Sequence, residues 1–68
     1  MRLVKFTDTD CNVVFINPEC VETVGPVGNT GNTEIQLMFG RIIIVPEGMN
    51  LVVFRITNGM TYRKDGDR

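Results

Sequence analysis

The residues best suited to chemistry stand near the start of the chain, in DTDCNVVFINPE, where Asp8, Asp10, Asn12 and Glu19 place side-chain oxygens at positions 1, 3, 5 and 12 of the stretch. That is the spacing of a calcium loop, in which hard oxygen ligands surround the ion and a glutamate closes the site. Such a loop also requires glycine at its sixth position, for a sharp turn, and a helix on either side. The sixth position here is Val13, and both LVKFT before the loop and VVFI within it have strand character. Pro18 further restricts the backbone ahead of Glu19. Asp8 and Asp10 are therefore read as turn residues whose carboxylates serve the local backbone or water, and no metal ligand is assigned.

Other catalytic arrangements fail by inventory. The chain has no histidine and no serine, which removes Ser-His-Asp and Cys-His constellations and leaves Thr, Cys, Lys or Tyr as nucleophiles without an evident base. Glu19 and Glu22 form a carboxylate pair of a kind common on acidic surfaces. Cys11 and Cys20 lack Cys-x-x-Cys spacing and do not make up the four ligands of a structural zinc site, so they are expected as reduced thiols. GPVGNTGN, residues 25–32, is rich in glycine, but no Lys-Ser or Lys-Thr follows it to make a phosphate loop. The expectation is a protein that is not an enzyme, with no catalytic residue and no cofactor.

The elements that position these residues follow from periodicity. Leu3 to Thr7 alternates, Val13 to Ile16 is a second strand, and Asn17-Pro18-Glu19 interrupts before a third strand over about Cys20 to Val24. Residues 25–32 read as the longest loop. Glu34 to Phe39 alternates again, with Ile35, Leu37 and Phe39 on one side, and Gly40 permits reversal into Arg41 to Val45. After Pro46, strand propensity in LVVFRI competes with a helical face of Met49, Val52, Val53 and Ile56; Pro46 and Glu47 suit a helix start, and a short C-terminal helix is preferred. The fold expected is mainly β (α+β), with about five short antiparallel strands in a small sheet or partly closed barrel and a C-terminal helix. Residues 1–57 make a single domain, and 58–68, ending in YRKDGDR, a flexible polar tail.

Composition and charge bound the partners. With 43% hydrophobic and 22% charged residues the chain falls in the ordinary globular class, and its 68 residues hold one small core. A net charge of −1 gives no electrostatic reason to approach a polyanion. Met1 and Arg2 lead straight into alternating sequence rather than a secretory leader, and RIIIV and LVVF are far too short for a membrane-spanning helix, so a cytoplasmic protein is expected. Residues 41–45 carry aliphatic side chains on both faces, Ile42 and Ile44 on one, Ile43 and Val45 on the other. One short helix covers one face of a small sheet, which points to a homo-oligomer, a dimer first, with Ile43 and Val45 at the interface. A sheet curled into a barrel is the alternative.

VFINPECVETV followed by TEIQLMFGRIIIVPEGMNLVVFRI resembles the small FlbD-type family associated with bacterial flagella, over about residues 13–57. The matching positions are Asn17, Pro18, Val21, Glu22, Val24, Thr33, Ile35, Leu37, Gly40, Val45, Glu47, Met49, Val52 and Ile56. The chain departs from that pattern at Phe39, where the family tends to have Asn, at Pro46, and at Leu51 and Phe54, where charges would stand. The resemblance implies an accessory role in flagellar motility through protein contacts, with an unidentified protein partner and no catalytic residues. A second resemblance, around TEIQL, is to the β-rich LytTR-type DNA-binding domain. That reading needs basic loops, whereas Arg2, Lys5, Arg41, Arg55, Arg63, Lys64 and Arg68 are dispersed, so a nucleic-acid partner is not favoured.

Overall fold

Period-two alternation at the start of the chain produces a hairpin in the computed structural model, which describes residues 2–58. β1 (Val4–Thr7) pairs antiparallel with β2 (Val13–Ile16), Val4 opposite Ile16 and Thr7 opposite Val13. Val4 and Phe6 point inward from β1 while Lys5 and Thr7 are exposed, as the pleat requires. Asn17 then caps a single 3-10 turn, Pro18–Cys20: its Oδ1 accepts from the Glu19 N–H at 3.0 Å, and Pro18 supplies a pre-set φ. The Asn-Pro-Glu interruption is thus the device that carries the chain from one sheet to the next.

The second sheet has the order β3 (Val21–Pro26), β4 (Thr33–Leu37), β5 (Ile42–Val45), all antiparallel. Its central strand β4 buries Thr33, Ile35 and Leu37. β3 runs beyond the expected Val24 to include Gly25 and Pro26, so the loop shortens to residues 27–32, where the Val27 N–H donates to the Asn32 carbonyl at 3.1 Å. Pro26 is tolerated because β3 is an edge strand. The register between β3 and β4 shifts between Val21 and Thr23, a local irregularity at Glu22.

β4 ends at Leu37, and this corrects the expected placement of Phe39 beside Ile35 and Leu37. The Met38 N–H donates to the Cys20 carbonyl at 2.9 Å, outside the β4–β5 ladder, and Gly40, at φ +82°, donates to the Leu37 carbonyl at 3.0 Å. The chain leaves the pleat there, and Phe39 stands 83% exposed in the turn.

α1 (Met49–Thr57) is helical, resolving the competition between helix and strand. It starts at Gly48, which caps without a side chain, and Asn58 closes it by donating its N–H to the Phe54 carbonyl at 2.8 Å. Only part of the expected face is inward: Val52 is fully buried and Ile56 packs against the core, while Met49 and Val53 are exposed. The helix lies against β3 and is tied to β1, so its inward arc is narrow. The expected tail, beyond Asn58, lies outside the described residues.

Arg55 makes that tie. Its Nη1 donates to both carboxylate oxygens of Glu47 at 2.7 and 2.9 Å, its Nη2 donates to the Lys5 carbonyl, and its guanidinium lies 4.5 Å from the centre of the Phe6 ring. A planar group with several donors serves all three partners at once, which lysine does not. Arg2 adds a bond to the Ile56 carbonyl, and the buried Thr33 hydroxyl donates to the Glu47 carbonyl at 2.6 Å.

The core joins both sheets and the helix: Val4, Phe6 and Ile16 from the hairpin, Ile35, Leu37, Ile43 and Val45 from the second sheet, and Val52 from α1. Each fully buried aliphatic or aromatic side chain here contributes about 1.5–3 kcal/mol. The fold is mainly β, five antiparallel strands in two sheets with one short C-terminal helix, and the sheets do not close into a barrel. The Gly40 turn supplies a test of how the second sheet is closed. A Cβ at Gly40 would meet no atom within 4 Å, so the penalty of Gly40→Val is conformational and not a clash. The variant is expected to lose at least ~1 kcal/mol of stability in urea denaturation, since a β-branched residue strongly disfavours this φ. An unchanged midpoint and slope would contradict the turn geometry.

Candidate functional site

Hydrogen-bond parity decides which backbone groups of β5 are spoken for. The Leu37 N–H donates to the Arg41 carbonyl at 2.8 Å, so alternation along an antiparallel pair directs Ile43 and Val45 toward β4 and turns the peptide groups of Ile42 and Ile44 outward. The Ile44 carbonyl confirms this by accepting from the Thr9 N–H at 3.0 Å. The tip of the first hairpin therefore rests on the outer edge of β5 at its C-terminal end, and among the described residues none bonds the edge at Ile42.

Beside this contact the two sheets stay apart, and a groove of about 230 Å³ opens between Asp8, Thr9 and Asp10 at one end and Arg41 and Ile42 at the other. A second hollow of about 200 Å³ continues it past Arg41, with Phe15, Phe39 and Cys20 on its walls. Val14, Arg41 and Ile43 line both, so the two hollows form one furrow with Arg41 midway. Its rim is apolar: Phe39, Ile42 and Phe15 are at least half exposed. A separate outward patch, Met49, Leu51, Val53 and Phe54, runs along α1.

The charges of the furrow are sorted by the hairpin turn. Asp8 Oδ1 accepts from the backbone N–H groups of Asp10 at 2.9 Å and Asn12 at 2.8 Å, while the Asp8 N–H donates to the Asn12 carbonyl at 2.9 Å. This network holds Cys11 at φ +67°, an unusual conformation for a residue with a side chain. The Asn12 N–H, with help from that of Asp10, keeps the Asp8 carboxyl below its ordinary value, against a smaller opposing effect of desolvation. Neither the Asp10 carboxylate nor the Arg41 guanidinium has a hydrogen-bond or ion-pair partner among the described residues.

The sequence-derived candidates fall out differently from one another. Ile43 and Val45, expected at an interface, are 7% and 0% exposed and belong to the core. The expectation took one short helix as cover, with a sheet curled into a barrel as the alternative, whereas the β1–β2 hairpin supplies Val4, Phe6 and Ile16 to the same cluster. The exposed aliphatic residue of β5 is Ile42, at 51%. Asp8, Asp10 and Asn12 sit together in the hairpin turn, whereas Glu19 lies on the 3-10 turn after Asn17, and among the described residues no three His, Cys, Asp or Glu side chains gather as metal ligands. Cys11 and Cys20 are free thiols. No family model, curated protein or solved structure matches the chain. The furrow, with Phe15, Phe39 and Arg41, was not foreseen; an aromatic residue directly before a turn glycine was its only sequence signal.

No described helix is long and apolar enough to cross a membrane. The geometry at hand offers an apolar strip with one cation in its middle and two carboxylates at one end.

The Asp8 turn makes a pH prediction whose sign is fixed. A carboxyl whose folded value is depressed contributes stability that is complete above its unfolded value and is lost as pH falls through the folded one. Between pH 7 and pH 3 the urea midpoint of the native chain is expected to fall further than that of Asp8→Asn, which carries no titrating carboxyl at this position. Equal falls in the two proteins would show that the amide network does not favour the ionised carboxylate.

Proposed function

We propose that the protein is a non-enzymatic interaction and assembly module that works through protein–protein contacts, self-association among them, on the side where β2 and β5 fail to meet. The observation that carries this reading is the furrow, with Phe39 and Ile42 exposed at its rim. Contiguous apolar surface framed by polar groups is the usual mark of a contact site, and exposing it costs ~25 cal/mol per Å². Arg41, the cation of the furrow, shares it with Asp8 and Asp10, an arrangement unsuited to a polyanion. The resemblance to FlbD-type proteins fits the same class and implies an accessory role in flagellar motility.

Light scattering on a sizing column at micromolar concentration is expected to give a mass of at least two chains. Ile42→Asp should reduce that mass to one chain while the circular dichroism spectrum is kept, because the substitution falls on a solvent-facing position. Ile43→Asp should instead unfold the protein by burying an unpaired charge. A single-chain mass for the native protein up to about millimolar concentration, the weak end of specific affinity, would overturn the reading.

A further inference from the structure

Resting on the reading that the β2–β5 side makes protein contacts, we infer that the furrow takes the C-terminal end of another polypeptide. The segment adds antiparallel to the edge of β5 at Ile42, with its terminal carboxylate on Arg41 and an aliphatic last side chain in the second hollow. The ladder leaves an edge in reach. Hydrogen-bond parity turns the Ile42 N–H and carbonyl away from β4, and neither has a partner among the described residues. An unpaired strand edge is a template for a further strand, whose main-chain bonds supply affinity. This edge is short, because Thr9 holds the Ile44 carbonyl at one end and the turn at Gly40 closes the other. It suits the last few residues of a chain rather than a strand passing through.

The charges fix direction and end group. An antiparallel segment runs opposite to β5, so its C-terminal end arrives beside Arg41 and its upstream residues pass the hairpin tip, where Asp10 stands. Arg41 and Asp10 have no hydrogen-bond or ion-pair partner among the described residues, whereas Asp8 Oδ1 already accepts two backbone N–H groups. A guanidinium binds a carboxylate through two parallel N–H donors, and Asp10 suits a basic residue upstream. The parallel direction would set the carboxylate beside Asp8 and Asp10, where like charges repel. The pleat then places the last side chain. A residue opposite Arg41 points to the face that Arg41 shares with Ile43, and on that face the second hollow, of about 200 Å³, is walled by Val14, Ile16, Leu37, Ile43 and Phe39. The Ile42 side chain lies on the other face of β5 and takes no part.

A dye-labelled peptide with a lysine upstream and a free C-terminal valine, titrated with the whole native chain and read by fluorescence anisotropy, tests this. Saturable binding is expected, weakened about tenfold or more by amidating the peptide's C-terminus and equally by Arg41→Gln. Both changes remove the same contact, so amidation should have little further effect on the Arg41→Gln variant. Asp10→Asn is expected to weaken binding only a few-fold. Both variants should keep the native circular dichroism spectrum, since neither side chain has a partner within the described chain. No binding up to about millimolar protein, or binding indifferent to amidation and to Arg41→Gln, overturns the inference. Self-association is read separately, from the mass of the chain without peptide. A single-chain mass with carboxylate-dependent binding supports this inference and removes self-association, whereas a dimer that does not bind the peptide overturns this inference and leaves self-association standing.

Discussion

A two-stranded hairpin has one apolar face and no sheet of its own to bury it against, and a three-stranded sheet with one short helix is little better placed. The structure depends on these two incomplete units sharing one core. Phe6 and Val4 from β1 and Ile16 from β2 meet Ile35, Leu37, Ile43 and Val45 from the second sheet, and Val52 fills the remaining side. In a chain this small the core is close to the minimum that offsets the conformational entropy of folding. Each contributor is needed, and the two open sides of the pair of sheets are closed unequally.

One side is sealed by α1. The helix lies on β3 and is fastened to the outer edge of β1 by Arg55, which bonds the Lys5 carbonyl, pairs with Glu47 and covers the Phe6 ring. The other side, between β2 and β5, has among the described residues one backbone bond, from Thr9 to Ile44, beside which the furrow opens. The Asp8 turn sets the position of Thr9, so a network of short local bonds at the hairpin tip decides how far the two sheets separate.

Much of this was legible in the sequence because it depends on near neighbours. Alternation in VKFT and TEIQL, the turn chemistry of Asp8 and Gly40, and the Asn17-Pro18 break each act over a few residues, and each produced the expected element. What escaped was tertiary. IIIV shows aliphatic side chains on both faces, but only the docking of a hairpin from the other end of the chain makes Ile43 and Val45 core and leaves Ile42 outside. The face of α1 was misjudged for the same reason, since helical spacing marks Met49 and Val53 as candidates without showing how narrow the seat is.

The central claim is that the open β2–β5 side, and not the outward face of α1, is where the protein meets another copy of itself. Backbone amide NMR spectra over a dilution series test it most directly, because every amide reports on its own surroundings in the unmodified protein. The account predicts that shifts at Asp10, Phe39, Arg41 and Ile42 move together with concentration while those along α1 hold still. Spectra that do not change with concentration, or changes confined to Leu51, Val53 and Phe54, would contradict it.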